Sequence, residues 1–414
     1  ENFQYLDMGI FVHILSGRIA HMHNFTHYTP TKVVFGKDTQ FQTASEIKEF
    51  GGSKVFVVYG GGSVVRSGLL DAITNNLQEN GLEYQVKGGV HPNPRLSFAR
   101  EAVKESIEFG TDFVLAVGGG SVIDTAKAVA HGTANPDVDI WEFWERKKTL
   151  TRSLPVGVVL TISAAGSEMS NSAVLTNTEI GRKRGLSTDL NRPKFAIMNP
   201  ELTYTLPKYQ IGCGVVDIMM HTLDRYFTHT KGNRLTDEIA ESVLRTVIDS
   251  GKVAIKEPAD YDAMSEIMWC GSISHNGMTG LGAETDFAPH QLGHELSAMF
   301  DVAHGASLSA IWGSWAMYSY KEEPARFARY GEKVWGITAD TEEEAAVKAI
   351  EATVDYFQSL DMPVNFTTLG IGVQSAEVLE KLADSCSYDR GRTIGSFRVC
   401  DRDDILEIYK MANC

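Results

Sequence analysis

The stretch Asp112-Phe-Val-Leu-Ala-Val-Gly-Gly-Gly-Ser-Val-Ile-Asp-Thr-Ala-Lys-Ala-Val-Ala130 decides the fold of this chain. Its continuous apolar run is typical of a strand that is buried on both faces, and the segment after the glycines predicts a helix. Residues 54–59, followed by Gly60-Gly-Gly-Ser63, repeat the arrangement. Because strands alternate with helices, we expect a mainly parallel α/β sheet.

The same pattern continues to about residue 205. Apolar runs at residues 155–160 and 194–198 predict two further strands. Residues 173–176 and 184–187 flank Glu179-Ile-Gly-Arg182, and this arrangement predicts a β-hairpin.

The second half of the chain has a different character, with helical periodicity and almost no β-branched runs. Helices are expected over residues 237–254, 263–275, 290–300, 306–319 and 341–360. Pro207 lies just inside a helix start, where its missing N–H costs nothing. We therefore place a domain boundary near residue 206. Folding signals begin only after Met22, so residues 1–23 are interpreted as an extension outside the fold.

The composition of the chain argues against some classes of binding partner. The formal net charge is -15, the isoelectric point is near 5.3 and no basic patch is visible, which argues against nucleic acid. The five cysteines are scattered and form no CxxC pair, so a reducing cytoplasm is the expected location. No apolar stretch reaches the roughly 18 residues that span a bilayer, so no membrane partner is expected.

Each glycine run predicts an anion site at the start of a helix. Glycines let backbone N–H groups approach a phosphate, the helix N-terminus favours negative charge, and Ser121 can cap the helix. A pyrophosphate is the natural ligand, although a plain tight turn explains a single run equally well. Asp124 either faces the ligand from the first turn or is a favourable first-turn acid.

The loop after residues 155–160 is rich in small polar side chains. It supplies hydroxyls to a phosphate or to nicotinamide, or it is an ordinary strand-end loop. The candidate cofactor-binding residues are Gly60, Gly61, Gly62, Ser63, Gly118, Gly119, Gly120, Ser121, Asp124, Thr161, Ser163 and Ser167.

The spacing of the histidines is the second pattern that indicates a functional site. Asp217 with His221, and His290 with His294, are spaced i,i+4, which on a helix places each pair on one face. His304 follows ten residues after His294. Imidazoles and a carboxylate without a thiolate suit Fe(II), Zn(II), Co(II) or Ni(II). Hydrogen-bonded core or surface histidines are the alternative.

Four motifs in this order resemble the iron-containing (group III) alcohol dehydrogenases, in particular the branch of butanol dehydrogenases and aldehyde reductases. They are Gly118-Gly-Gly-Ser-Val-Ile-Asp124, Ser163-Ala-Ala-Gly-Ser-Glu168, Gly214-Val-Val-Asp-Ile-Met-Met-His221, and His290-Gln-Leu-Gly-His-Glu-Leu296 with His304-Gly305. The resemblance implies a Rossmann-like dinucleotide-binding α/β domain at residues 24–206 and an all-helical metal-binding domain at residues 207–414, a dehydroquinate-synthase-like fold. It further implies a homodimer that transfers a hydride between NAD(P)(H) and a small aliphatic alcohol or aldehyde, such as butanol or butanal.

The same resemblance assigns roles to single residues. One divalent ion, Fe²⁺ or Zn²⁺, is expected on Asp217, His221, His290 and His304. His294 would lie near nicotinamide and substrate, where proton relay and support of the ligand helix carry equal weight. His275 matches no motif of the family and is expected to be structural.

One position in the sequence bears on whether NAD(H) or NADP(H) is the preferred cofactor. NAD-specific relatives carry an acid after the first strand, where it holds the ribose diol, and Gly61 stands in that place here. Without the acid a 2′-phosphate is not repelled, and Ser63 can donate to it. We therefore expect NADP(H) to be preferred over NAD(H), with Arg66 as the nearest basic residue in the sequence.

Two other functions remain open. A metal- and NAD-dependent lyase of the dehydroquinate-synthase type uses the same architecture, and a non-catalytic module would bind metal and dinucleotide without turnover. The lyase requires clustered basic residues for an anionic substrate. Met219, Met220, Trp269 and Phe287 are expected around the metal instead, which favours a small apolar alcohol or aldehyde.

Overall fold

The computed structural model describes residues 21–414 and contains eight strands in that range. The strands are β1 Lys32–Phe35, β2 Lys54–Tyr59, β3 Glu83–Lys87, β4 Phe113–Gly118, β5 Val156–Leu160, β6 Ser172–Asn177, β7 Arg182–Ser187 and β8 Phe195–Met198. The helices of the α/β half are α1 Thr43–Glu49, α2 Ser63–Arg66, α3 Leu69–Glu79, α4 Leu96–Phe109, α5 Gly120–Ala134 and α6 Trp141–Trp144.

Six strands form one parallel sheet in the order β1-β8-β5-β4-β2-β3, and β6 and β7 form a separate antiparallel hairpin. The carboxyl ends of β2, β4 and β5 lie side by side, because Tyr59 is paired with Val117 and Gly118 with Leu160. The loops that follow these three strands therefore meet at one edge of the sheet, which is where open α/β sheets bind ligands.

Two edge strands, β1 and β3, have no counterpart in the sequence-based prediction. All their residues are exposed or half-buried, and neither strand shows the continuous apolar run that identifies β2, β4 and β5. A short edge strand loses the sequence signal because one of its sides faces solvent.

The second half of the described chain is helical. Its helices are α7 Lys208–Tyr226, α8 Arg234–Ala254, α9 Tyr261–His275, α10 Ala288–Phe300, α11 His304–Ser319, α12 Pro324–Tyr330, α13 Glu342–Ser359, α14 Ala376–Ser387 and α15 Arg402–Ala412. Pro207 is the N-cap of α7 and so lies one position outside the helix that was expected to include it. Helices α12, α14 and α15 were not predicted. The expected fold class, a parallel α/β half followed by a helical half, is confirmed.

Helices α7 and α11 form the centre of the helical half. From Ile211 to Tyr226 nearly every residue of α7 is buried, and α11 buries Trp312 and Trp315 completely. A helix that is buried on all sides lies in a core rather than at a surface. These two helices therefore hold their side chains in rigid surroundings.

The interpretation of residues 1–23 as an extension falls almost entirely outside the described residues. Within the described part, the backbone N–H of His23 donates to the carbonyl oxygen of Gly282 at 2.8 Å. Among the helices of residues 21–414, none combines the length and the apolar character needed to cross a membrane.

Candidate metal and cofactor site

A large cleft lies where the carboxyl edge of the sheet meets the helical half. This cavity of about 1820 Å³ is lined by residues of both glycine runs, of the loop after β5 and of α7, α10 and α11. Of the predicted site residues, all except Gly62 and Ser163 line it. Packing of the two halves thus brings the predicted cofactor and metal residues to one space.

Three of the predicted ligand histidines converge on one carboxylate oxygen of the fourth predicted ligand. Oδ1 of Asp217 lies 3.3 Å from Nε2 of His221, 3.6 Å from Nε2 of His290 and 3.8 Å from Nε2 of His304. Asp217 and His221 come from successive turns of α7, whereas His290 comes from α10 and His304 is the first residue of α11. Three helices therefore contribute to one cluster.

The chemistry of the cluster fits a divalent cation. Oδ1 of Asp217 and Nε2 of His290 are buried and have no hydrogen-bond partner among the described residues. Unpaired buried polar atoms cost free energy, and a cation at their common focus would remove that cost. Ligand atoms of Asp217, His290 and His304 all lie within 4.8 Å of one another, and imidazole with carboxylate suits Fe(II) or Zn(II).

A buried carboxylate behind the cluster orients one imidazole. Oδ2 of Asp224, one α7 turn beyond His221, lies 2.5 Å from Nδ1 of His290. Burial by itself lowers the pKa of His290, but the carboxylates of Asp224 and Asp217 raise it to about 9. A carboxylate on the remote ring nitrogen fixes the tautomer and directs Nε2 toward the metal position. Asp224 was not among the residues predicted from the sequence, although its spacing of seven residues from Asp217 places it on the same side of α7.

We expect Asp224→Asn to weaken divalent metal binding by about 10–100-fold, the usual cost of removing such a supporting carboxylate. The amide cannot accept the imidazole N–H as strongly, so the ring of His290 loses its preferred tautomer. Competition with a chromophoric chelator measures the change. Asp260→Asn, at the N-cap of α9 where asparagine caps well, is the matched control and should bind metal as the parent does. Equal affinities for Asp224→Asn and the parent would contradict the assignment.

Two more histidines border the cluster. The ring of His294 lies 5.2 Å from that of His304, centroid to centroid. Neither His294 nor His221 belongs to the set of ligand atoms within 4.8 Å of one another, but only His221 approaches Oδ1 of Asp217, at 3.3 Å. His275, expected to be structural, lines the cavity and stacks on His221 with centroids 3.9 Å apart, and its Nδ1 is held by the carbonyl of Ala165. No local pattern marks His275, because the contact depends on how α9 packs against α7.

The second glycine run provides the backbone approach that a phosphate needs. Gly118 ends β4, Gly119 is the N-cap of α5, and Gly120 begins the helix, so Ser121 does not cap it as predicted. A Cβ on Gly118 would lie 2.6 Å from Val122, and one on Gly119 would lie 2.8 Å from Ile162. Only glycine fits these positions. The N-terminus of α5 therefore opens on the cavity without obstruction by side chains.

Asp124 and Ser167 are occupied by contacts within the protein. The hydroxyl of Ser167 donates to Oδ1 of Asp124 at 2.6 Å, and the N–H of Val174 donates to Oδ2 at 2.9 Å. Nζ of Lys127, which is fully buried, donates to the carbonyl oxygens of Ser167 and Ser172 at 2.8 and 2.7 Å. Burial lowers the pKa of Lys127 to about 8. This network ties α5 to the loop after β5 and to the hairpin.

The other two candidate cofactor-binding residues of the loop after β5, Thr161 and Ser163, differ in their contacts. The backbone N–H of Thr161 donates to the carbonyl of Gly118, so Thr161 joins the loop to the end of β4. The hydroxyl of Ser163 is buried and has no partner among the described residues. Ser163 is therefore the one predicted hydroxyl of this loop that is buried without a protein contact.

The first glycine run lies at the end of β2. Gly62 is the N-cap of α2 with φ 107°, a left-handed conformation that favours glycine. A Cβ built on Gly62 would lie 3.3 Å from Nη1 of Arg66, so the guanidinium folds back over the run. A Cβ on Gly61 would meet nothing within 4 Å.

The expected apolar surroundings of the metal position are wrong for three of the four residues named. Met219 and Met220 are fully buried in the helical core, and Trp269 is 42% exposed on α9. Only Phe287 lines the cavity, which it shares with the basic residues Lys183, Arg184 and Arg392. Residues adjacent in sequence to a helical ligand point to other faces of the helix, so they do not surround its ligand.

Comparison with known proteins identifies the family of this chain. The family model for iron-containing alcohol dehydrogenases matches residues 30–200, and the model for the C-terminal part of the Fe-containing alcohol dehydrogenase family matches residues 212–413. The chain is 40% identical to NADH-dependent butanol dehydrogenase A of Clostridium acetobutylicum, over 94% of this chain and 99% of that protein. It is 36% identical to the NADPH-dependent aldehyde reductase YqhD of Escherichia coli, over 87% of this chain and 92% of that protein.

A solved structure supports the same relationship. The crystal structure of NADH-dependent butanol dehydrogenase A from Thermotoga maritima superposes with a TM-score of 0.91 at 37% identity, over 95% of this chain and 100% of that one. The matches extend through both the α/β half and the helical half. The chain therefore belongs to the iron-containing alcohol dehydrogenase family, in its branch of butanol dehydrogenases and aldehyde reductases.

Proposed function

We propose that this oxidoreductase transfers a hydride between NADP(H) and a small aliphatic aldehyde or alcohol, with one Fe²⁺ or Zn²⁺ held by Asp217, His221, His290 and His304. The observation that carries the proposal is the approach of three Nε2 atoms to one unpaired, buried oxygen of Asp217. This cluster shares a cavity with both glycine runs.

The cation would supply a Lewis acid that polarises the substrate oxygen. Three neutral imidazoles and one carboxylate leave a divalent site about one net positive charge, which favours a developing alkoxide. Burial lowers the pKa of His221 and of His304 well below the usual range, and neutral imidazole is the form that ligation requires. Because the pKa of His290 is raised to about 9, its Nε2 proton would be released when the cation binds, and Asp224 would keep the resulting lone pair directed at the same point.

The α/β half would orient the dinucleotide. The backbone N–H groups at the N-terminus of α5 suit a pyrophosphate. His294 lies beside His304 at the cavity wall, and burial together with the charge of Lys183 lowers its pKa well below the usual range. As a neutral imidazole it can accept and pass on the hydroxyl proton of the alcohol.

The preference for NADP(H) is part of the proposal, because relatives named as NADH-dependent and as NADPH-dependent are both similar to this chain. Three features support it: Gly61 offers no carboxylate, Ser63 starts α2, and the guanidinium of Arg66 folds back over Gly62. A glycine run that lacks a carboxylate and has an arginine next to it favours binding of the 2′-phosphate of NADP(H).

We expect Gly61→Asp to raise KM for NADPH by about 10–100-fold and to lower KM for NADH. A carboxylate there would repel a 2′-phosphate and hold the ribose diol, and hydrogen bonds to charged groups are worth about 1.5–3 kcal/mol. Because a Cβ at Gly61 has free space, the fold should tolerate the change. Gly61→Asn, of equal size without the charge, is the control. An unchanged NADPH to NADH ratio in Gly61→Asp would refute the assigned position of the 2′-phosphate.

The activity is tested with purified protein that has been stripped and reloaded with Fe(II) or Zn(II). NADPH and NADH are compared spectrophotometrically over straight-chain C3–C6 aldehydes. Metal-dependent oxidation of NADPH supports the proposal. Stoichiometric NADPH binding without turnover of any aldehyde would favour a non-catalytic module instead.

A further inference from the structure

His275 lies beside the metal cluster, yet neither the metal nor the cofactor assignment uses it. Its ring stacks on the ring of His221, with centroids 3.9 Å apart and an angle of 22° between the two planes. The ring of His290 also lies close to His221, at 4.3 Å, but it is tilted by 41°. His275 is therefore the neighbour whose ring covers a face of His221.

A stacking partner matters for His221 because no hydrogen bond fixes its outer nitrogen. Ligating histidines usually donate the remote ring N–H to a carboxylate, a carbonyl or water, which sets the orientation of the ring. His290 follows this rule through the carboxylate of Asp224. Nδ1 of His221, in contrast, is buried and has no hydrogen-bond partner within residues 21–414. The orientation of this ring therefore depends on what packs against its faces.

His275 is itself held by the loop after β5. Its Nδ1 donates to the carbonyl oxygen of Ala165. This contact requires a close approach between the loop and α9: Gly166 has φ 61°, and a Cβ there would clash with the carbonyl oxygen of Gly271 and lie 2.8 Å from Cβ of His275. Only glycine fits this position. Gly271 and His275 are spaced i,i+4, so both lie on the face of α9 that meets the loop.

The same loop contacts the helix that carries His221. A Cβ on Gly214 would clash with the carbonyl oxygen of Ser163, so α7 and the loop meet backbone to backbone, three residues before Asp217. The loop thus packs on both α7 and α9, and the two stacked rings lie between these helices. The position of His275 relative to His221 is accordingly fixed by backbone contacts rather than by the stack alone.

Stacking favours the metal-bound form of His221 over the free form. Coordination to a divalent cation withdraws electron density from an imidazole, and the faces of aromatic rings attract positive charge. The hydrogen bond to Ala165 opposes rotation of the His275 ring, so its face stays turned toward His221. A ring held in this way restricts His221 to one orientation before the cation arrives.

We propose that His275 is a positioning residue that fixes the ring of His221 by stacking and so raises the affinity of the site for a divalent cation. The inference rests on the proposed function, since it takes His221 as a metal ligand. Stacking at His221 would do what the carboxylate of Asp224 does at His290. His275 then contributes to the metal site and not to the fold alone.

The test measures metal binding directly, without substrate or dinucleotide. Metal-free protein is titrated with Zn(II) in competition with a chromophoric chelator, and the visible absorption of the Co(II)-loaded protein reports the geometry of the ligands. Two substitutions separate the ring of His275 from its hydrogen bond. His275→Phe keeps an aromatic face without the N–H donor, whereas His275→Gln keeps a donor without the face.

We expect His275→Gln to bind Zn(II) about tenfold more weakly than the parent, the lower end of the usual cost of losing a group that supports a ligating histidine. Its Co(II) spectrum should also shift, because the ring of His221 is no longer restricted. His275→Phe should recover most of the affinity and the parental spectrum. His27→Gln, which replaces an exposed histidine, is the matched control and should behave as the parent does. Urea unfolding of the metal-free proteins verifies that each variant folds.

The outcomes separate this inference from the proposed function. Parental affinity and an unchanged Co(II) spectrum in His275→Gln would overturn the inference and leave the proposed function intact. Equal losses in His275→Phe and His275→Gln would also overturn it, because the hydrogen bond to Ala165 and not the stack would then support the site. A parent protein that binds neither Zn(II) nor Co(II) would overturn the proposed function itself.

Discussion

Asp217→Ala is expected to lower kcat/KM for NADPH-dependent aldehyde reduction by about 10³-fold or more. Its Oδ1 is the one atom that His221, His290 and His304 all approach within 3.8 Å. Without the carboxylate, three imidazoles would hold a divalent ion less firmly, and a Lewis acid lowers the barrier by several kcal/mol. Each 1.4 kcal/mol corresponds to about a factor of ten in rate.

Metal content by elemental analysis and steady-state rates are measured on the same preparation. Asp249→Ala, which removes an exposed carboxylate on α8, is the matched control because surface ion pairs contribute little. The control should retain metal and activity. An Asp217→Ala protein that still reduces aldehydes at the parental rate would show that the cluster is not the catalytic centre.

Lys127→Met is expected to lower the free energy of unfolding by about 3–5 kcal/mol, the usual cost of removing one partner of a buried charged pair. The ammonium group holds two carbonyl oxygens of the loop after β5 and lies 4.0 Å from Oδ1 of Asp124. Methionine fills the space but leaves both carbonyls without that donor and the carboxylate without the nearby positive charge. The affected loop borders the cofactor cavity.

Urea denaturation followed by circular dichroism measures the change, with the exposed Lys104→Met as control. A double variant, Lys127→Met with Asp124→Asn, is expected to recover part of the loss, since removing both charges avoids an unpaired buried carboxylate. If Lys127→Met stays within about 1 kcal/mol of the parent, the network described here contributes little to the fold.

Local sequence patterns predicted much of the fold and of the candidate site. The apolar run of β4 and the glycines after it predicted a parallel sheet with a ligand edge, because buried strands and close backbone approach have direct sequence signatures. The i,i+4 spacing of Asp217 and His221 also placed both on one face of α7. Periodicity within one element is a short-range property, and one chain segment contains all of it.

Contacts between different helices and strands could not be predicted from local sequence patterns. The carboxylate of Asp224 accepts a hydrogen bond from His290, which is 66 residues away in the sequence. The stacking of His275 on His221 depends on how α9 packs on α7. Lys183 reaches the cavity from the β6–β7 hairpin. Met219 and Met220 were assigned to the cavity because they adjoin the metal motif, yet helix rotation points them into the core. The order of residues along the chain thus specified the elements and the chemistry they carry. Which side chains share the cavity depended on the angles and distances at which those elements pack, since neither is encoded within a single segment.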